Sequence, residues 1–210
     1  VCPKAVMIHW FKEARKFYGD SLHVQVIGSD VLVDIKDNIK VVKLNRAERF
    51  NQWRDSKSNV FVVNYDLLKD LYEPEVKPFW TDMPFMIIAD EVTRIKTFNA
   101  QRTKNLRNLP AKYRIGLSGR PMENRLEELF TIMDWVWPGC LGNWDRFRER
   151  HFIEKEVTYA GKTFTQVVSY KDVDKIKERL NWIMIKYPKW AVLPELPPIT
   201  HEDYEVFLTD

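Results

Sequence analysis

Apolar residues fall in two alternating rhythms along this chain. Short runs with strand character recur at Leu22 to Ile27, Asn59 to Val63, Phe85 to Ala89 and Ile115 to Ser118. Between them the apolar positions lie three and four apart, the spacing of helices packed on one face. Val6, Trp10, Phe11, Ala14 and Phe17 make one such face, with Lys12, Glu13, Arg15 and Lys16 off it and Gly19 placed as its cap. Shorter helices are predicted over Arg46 to Trp53 and from Leu67 to Tyr72. Leu126, Leu129, Phe130, Met133 and Trp137 mark a stronger one over Asn124 to Val136, ended by Pro138-Gly139. Two β-rich pieces around Lys36-Asp37-Asn38 suggest a hairpin, and the prolines between Glu73 and Asp82 a loop. Strand alternating with helix from Val1 to Val136 predicts an α/β fold with a parallel, doubly wound sheet.

After Pro138 the rhythm changes. A helix is expected from Asn143, its N-cap, to Phe152. Val157 to Tyr159 and Phe164 to Val168 flank Ala160-Gly161-Lys162 as a second hairpin. Val173, Ile176, Leu180 and Ile183 then share a helical face over Lys171 to Met184. Pro188, Pro194, Pro197 and Pro198 break up the C-terminal stretch. The chain divides on this reading into residues 1–137, 138–192 and 193–210, the last holding a linker and a strand-like segment at Tyr204, Val206 and Leu208.

Composition narrows the class. With 210 residues, 45% hydrophobic and 13% aromatic, the chain can bury a core and is not disordered. A net charge of +3 permits a nucleic-acid partner without arguing for one. Cys2 and Cys140 lack metal-type spacing, which fits a reducing, intracellular compartment. His9, His23, His151 and His201 form no ligand cluster. No apolar run approaches the ~18 residues of a membrane span, so no membrane partner is expected. The chain opens at Val1 on what reads as a strand end, so it is expected to be a piece of a larger protein.

Candidate chemistry sits at Asp90-Glu91, directly after the run Phe85 to Ala89. Open α/β sheets bind ligands beyond the carboxyl ends of their strands. There one carboxylate could hold Mg²⁺ on a nucleotide and the other orient a water for attack on phosphate. The alternative is an exposed acidic turn after a core strand. A second candidate dissolves on inspection. Gly161-Lys162-Thr163 resembles the end of a phosphate loop, but position 156 is Glu where that loop needs glycine, and strand-like flanks predict a hairpin turn. The run Arg102, Lys104, Arg107, Lys112, Arg114 reads first as a solvated helix face and second as a patch for DNA. Trp80 is the tryptophan placed for an external contact.

The order of these segments carries a resemblance. VCPKAVMIHW resembles motif Ia of the Swi/Snf family of ATP-dependent DNA translocases, in helicase superfamily two. VVNYD resembles motif Ib, IIADEVTRIK motif II, and IGLSGRPMENRLEELFTIMDWVWPGCLG motif III with its continuation. IMIKYPKWAVLPELPP resembles the segment leading to the second motor lobe. The resemblance implies that residues 1–137 are a RecA-like first lobe lacking its N-terminal phosphate-loop part. It makes 138–192 a helical protrusion, and 193–210 the start of a second RecA-like lobe.

It also implies roles. Asp90 would hold Mg²⁺ through water and Glu91 would polarise the attacking water. Thr93, Ser118, Gly119 and Arg120 would couple the nucleotide state to lobe movement. Pro3, Lys4, Asn64 and Tyr65 would meet the phosphates of double-stranded DNA. ATP and Mg²⁺ are the implied cofactors. The cell compartment would be the cytoplasm in a bacterium or phage host and the nucleus in a eukaryote. Three segments depart from the family pattern: in motif II Thr93 replaces a usual His and Thr97 a common Asn, in motif III Arg120 replaces a usual Thr, and Lys186-Tyr187 stands in place of a pair of arginines. Arg120 could bind phosphate or point to solvent. A first lobe without its phosphate loop or second lobe is expected not to hydrolyse ATP, which leaves a non-catalytic DNA- or protein-binding module as the alternative.

Overall fold

The computed structural model describes residues 1–33, 38–54, 57–81, 84–120 and 125–187. In chain order the elements are α1 (Met7–Tyr18), β1 (Val24–Ile27), β2 (Val31–Val33), β3 (Ile39–Val41), α2 (Arg46–Arg54), β4 (Val60–Val63), α3 (Pro78–Thr81), β5 (Met86–Ala89), α4 (Gln101–Arg107), β6 (Tyr113–Gly116), α5 (Leu126–Val136), α6 (Trp144–His151), β7 (Phe152–Tyr159), β8 (Lys162–Tyr170) and α7 (Val173–Leu180). Val1–Tyr170 and Lys171–Asp210 are two compact units.

The first unit is organised by parallel pairing. β1 pairs with β4, Val24 opposite Val60, and β5 pairs with β6, Met86 opposite Tyr113. The extended Val1-Cys2 segment joins these pairs. Cys2 N–H donates to Val63 C=O at 3.0 Å, and Cys2 bridges Asn64 in parallel sense. On its other side Val1 N donates to Ile88 C=O at 2.6 Å, and Asp90 N–H to Val1 C=O at 2.8 Å. The resulting order is β1, β4, Val1-Cys2, β5, β6, all parallel. Pro3-Lys4, Gly28, Asn64-Tyr65, Asp90-Glu91 and Leu117-Ser118 therefore leave one edge of the sheet together.

Alternation along the strands sends side chains into two cores. Val26 and Val62 join Cys2, Met7 and Phe11 under α1. Ile27, Val63, Ile87 and Ala89 point the other way, into a larger core with Phe50 and Trp53 of α2, Leu106 of α4, and Ile132 and Trp135 of α5. Burial on α1 is confined to Met7 and Phe11, and Phe17, placed on the same face by spacing, is exposed. On α1's side of the sheet, Met86, Tyr113 and Ile115 form a strip that stays 52%, 58% and 43% exposed.

Several predicted elements change form. Residues 65–72 wind as a 3-10 helix rather than an α-helix. Its three-residue repeat buries Tyr65, Leu68 and Leu71 on one line. The strand expected at Ile115 to Ser118 begins at Tyr113, because pairing with β5 sets its register. The predicted loop at 73–82 contains the short α3. There Trp80 faces inward, donating from Nε1 to Leu71 C=O at 2.7 Å and lying edge-on to Tyr72 and Phe85.

The β2–β3 hairpin forms as expected, and so does β7–β8, around Ala160 and Gly161 at φ 50° and 75°. Two successive positive φ values make the tight turn that matches strand twist, so Gly161-Lys162-Thr163 is a hairpin turn running into β8. The hairpin's base is tied to α5, where Tyr170 Oη accepts from Leu126 N–H and donates to Glu127. Asn143 caps α6 through Asp145 N–H. In the second unit α7 buries Ile176 and Leu180. The predicted start of α5 at Asn124 and the segment 193–210 lie outside the described residues.

One ion pair within the first unit is nearly dry. Arg49 of α2 meets Asp70 at 2.7 Å, with side chains 13% and 4% exposed. Breaking a buried pair strands a charge and costs about 3–5 kcal/mol. Asp70→Ala should therefore lower unfolding free energy in urea by about 3 kcal/mol, while the apolar pair Arg49→Met with Asp70→Leu should recover most of it.

Candidate active site at the end of strand β5

β5 delivers Asp90 with little freedom. Ala89 before it is fully buried, and Val92 after it is buried as well. Between them the chain reverses through Glu91, which sits in the left-handed region at φ 50° and ψ 55°. A non-glycine residue there costs on the order of 1 kcal/mol or more. The surroundings hold it in place. Val92 N–H donates to Leu117 C=O at 2.9 Å, Leu117 N–H to Ala89 C=O at 2.8 Å, and Arg94 N–H to Glu91 C=O at 2.9 Å. Gly116 lets this crossing close up, since a Cβ on it would stand 3.3 Å from both Val92 methyls. Glu91 is consequently presented to solvent at the strand end.

The Asp90 carboxylate is oriented from two sides. Glu91 N–H donates to Oδ1 at 2.9 Å, and Trp10 Nε1 on α1 donates to Oδ2 at 2.8 Å. Its main-chain oxygen accepts from Tyr65 Oη at 2.7 Å. Tyr65 is buried, and burial, with the Asp90 charge second, pushes its phenol far above the ordinary range. It therefore stays a donor across the whole working pH range.

Each carboxylate oxygen of Asp90 keeps an acceptor position, since a carboxylate offers about four. Among the described residues no group of three or more His, Cys, Asp or Glu side chains could hold a metal by itself. Asp90 could supply the one or two carboxylate oxygens that Mg²⁺ takes beside waters and substrate phosphates.

The other sequence candidates are spread around this edge. Lys4 is exposed and paired with exposed Asp30 at 2.7 Å, a contact worth little and easily exchanged for another anion. Pro3 precedes it in extended conformation. Asn64 is buried, and its Oδ1 accepts from Asp66 and Leu67 N–H, capping the 3-10 helix. Ser118 Oγ accepts from Arg120 N–H. Gly119 and the Arg120 side chain are exposed, and a Cβ on Gly119 would meet open space.

Thr93 lines an open cleft of about 710 Å³ together with Lys69, Arg94 and Arg102. Three members of the basic run have partners within the fold, one of them at the surface. Arg102 pairs with Asp66, Arg107 pairs with Asp134 and stacks on Phe98, and Arg114 donates to Trp135 C=O.

Trp10 stands in the sequence only as a helix-face residue. The available signal is its indole N–H, which seeks a partner when half-buried. Cys2 under the site carries no reactive thiol. Burial raises it from 9.0 to about 11.

The sequence profile described as the SNF2-related domain matches residues 1–210. The TATA-binding protein-associated factor mot1 of Schizosaccharomyces pombe is 26% identical over all of this chain, which covers 10% of that protein. Protein CHROMATIN REMODELING 24 of Arabidopsis thaliana is 29% identical over 73% of this chain and 14% of its own length. An uncharacterised ATP-dependent helicase of Mycoplasma genitalium is 23% identical over all of this chain and 17% of its own length. The chain thus spans a small part of these relatives. The SWI2/SNF2 ATPase core domain of Sulfolobus solfataricus shares the fold at a TM-score of 0.58 and 23% identity, over 94% of this chain and 34% of that one. No helix among the described residues is long and apolar enough to cross a membrane. The chain belongs to the SNF2-related family.

Three measurements test this geometry. Gly116→Ala should push Val92 outward and lower stability by about 1–3 kcal/mol, as overpacking does, read by thermal unfolding; Gly119→Ala should leave it unchanged. Below pH 9 the Cys2 thiol is protonated in both the folded and the unfolded chain. Between pH 9.0 and about 11 only the unfolded chain ionises, so its contribution to stability is lost as pH rises. Cys2→Ala should flatten the alkaline fall in urea midpoint, and a thiol-trapping reagent at pH 8 should label half-buried Cys140 before Cys2.

Proposed function

We propose that this chain is the larger part of the first RecA-like lobe of an ATP-dependent motor that moves on duplex DNA. The observation that carries the reading is Asp90-Glu91 at the carboxyl edge of a parallel sheet, one carboxylate fixed by two donors and its neighbour exposed. Phosphoryl transfer asks mainly for positioning and electrostatics. Asp90 would hold Mg²⁺ through a water, and Glu91 would orient the water that attacks. Bound Mg²⁺ would supply charge neutralisation on the nucleotide phosphates. The fixed turn at Glu91 sets where its carboxylate can reach, and the Leu117–Val92 bond ties that turn to Ser118, Gly119 and Arg120. Those residues, with Thr93, relay nucleotide state to a second RecA-like lobe.

Duplex DNA meets the strand-end segment Pro3-Lys4, and buried Asn64 and Tyr65 shape the neighbouring strand end from within rather than touching the duplex. Lys4 meets it by exchanging Asp30 for phosphate, and such contacts position without reading sequence. The phosphate loop comes from polypeptide outside residues 1–210, and the exposed strip of Met86, Tyr113 and Ile115 is the surface that such polypeptide covers. The expected compartment is the nucleus in a eukaryote and the cytoplasm in a bacterium or phage host. The exposed Arg120 and the short Thr93 favour one second reading, a lobe that binds DNA or a protein without turnover.

In the full protein containing this chain, duplex DNA should stimulate ATP hydrolysis, and Glu91→Gln should reduce it at least ~100-fold, within the range for loss of acid–base assistance. Turnover unchanged by Glu91→Gln would overturn the motor reading. DNA binding that weakens steeply with salt, with no turnover in the unaltered protein, would establish the second. Residues 1–210 alone should show no DNA-stimulated hydrolysis above background.

A further inference from the structure

We infer that Trp10 is a positioning residue for Asp90, acting through its indole N–H. The inference rests on the proposed reading of Asp90 as the nucleotide-side carboxylate.

The two Asp90 oxygens are held in different ways. Oδ1 is held by Glu91 N–H, its immediate chain neighbour. That bond comes from the fixed turn at Glu91 and sets the position of one oxygen only. Oδ2 is held from α1, 80 residues away in sequence. Among the described residues Trp10 is the sole side chain that hydrogen-bonds this oxygen. Without that bond Oδ1 keeps one donor and Oδ2 has none, so the carboxylate can rock about the Oδ1 contact within the tolerance of a single hydrogen bond. The acceptor directions it offers toward a metal-bound water would then scatter. Orientation is loosened, while the carboxylate and its charge remain.

The support for Trp10 is rigid. α1 is anchored by buried Met7 and Phe11 in the cluster with Cys2, Val26 and Val62, and Trp10 packs against the same cluster. Tyr65 acts from the opposite side, fixing the main-chain oxygen of Asp90 from the 3-10 helix after β4. The two aromatic side chains come from separate elements and clamp separate atoms of one residue. Thr93, two residues from Glu91, lies in the cleft wall beside Arg94 and Arg102. Its hydroxyl makes no hydrogen bond to Asp90. The work of orienting that carboxylate therefore falls on Trp10.

Partners that orient a metal-binding side chain typically contribute 10- to 100-fold in metal affinity. The test replaces Trp10 with the benzothienyl isostere of tryptophan, which keeps the rings and loses only the N–H, beside Trp10→Phe and Asp90→Ala. In the full protein, Mn²⁺ binding in the presence of ATP is followed by electron paramagnetic resonance, with thermal unfolding in parallel. We expect the isostere to weaken Mn²⁺ binding about tenfold with an unchanged unfolding temperature.

The Trp10 indole proton should also resonate downfield in the unaltered protein and move upfield in Asp90→Ala. Mn²⁺ affinity equal to the unaltered protein's would overturn the inference. So would a loss that tracks a lowered unfolding temperature, which is the mark of a structural role. If Asp90→Ala itself leaves Mn²⁺ affinity unchanged, the nucleotide-side reading of Asp90 fails, and this inference with it. If Asp90→Ala weakens binding and the isostere does not, the inference alone fails.

Discussion

Three backbone hydrogen bonds made by two residues hold the sheet of this lobe together. Val1 and Cys2 lie between β4 and β5 and bond to both. Without them β1–β4 and β5–β6 would be separate two-stranded pairs, and isolated two-stranded sheets are marginal in water. Everything proposed for the site depends on that seat. It brings α1 against one face of the sheet, which puts Trp10 within reach of Asp90. It also sets Asn64-Tyr65 and Asp90-Glu91 on neighbouring strand ends, so that a phenol from one can hold the main chain of the other. The buried, unreactive thiol of Cys2 is a by-product of the same placement.

The parallel α/β pattern was legible because period-two and period-3.6 signals alternate cleanly up to Val136. What escaped was set by tertiary partners. The start of β6 is fixed by its register with β5, and nothing in Tyr113 to Ser118 taken alone could place it. The 3-10 form of residues 65–72 comes from the Asn64 cap and a three-residue burial line, which an α-helical template reads as ordinary amphipathicity. Phe17 obeys the helical spacing of α1 yet lies beyond the part of the helix that packs.

The candidate site divides in the same way. Asp90 and Glu91 could be picked out because chemistry and position coincide in one short string. Trp10 could not, since a hydrogen bond across 80 residues leaves no trace in local spacing. The basic run from Arg102 to Arg114, read first as a solvated helix face, shows the limit of counting charge. Clustered charge invites a ligand, yet Asp66, Asp134 and Trp135 C=O already answer three of its five members. Charge in sequence counts donors but does not show which of them are already taken.

Glu91 has a consequence for how this chain can drift. Its backbone occupies a conformation that glycine or asparagine adopts at less expense. For stability alone, glutamate is a poor choice there, and neutral change would run downhill toward those two residues. A carboxylate on this backbone is destabilising for the fold alone, so its presence fits a role other than folding. Among the described residues Ala160 and Asp172 also have positive φ without being glycine. Ala160 belongs to a tight turn, and Asp172 is of a residue type that tolerates such backbone. Glu91 alone of the three sits at the mouth of a parallel sheet.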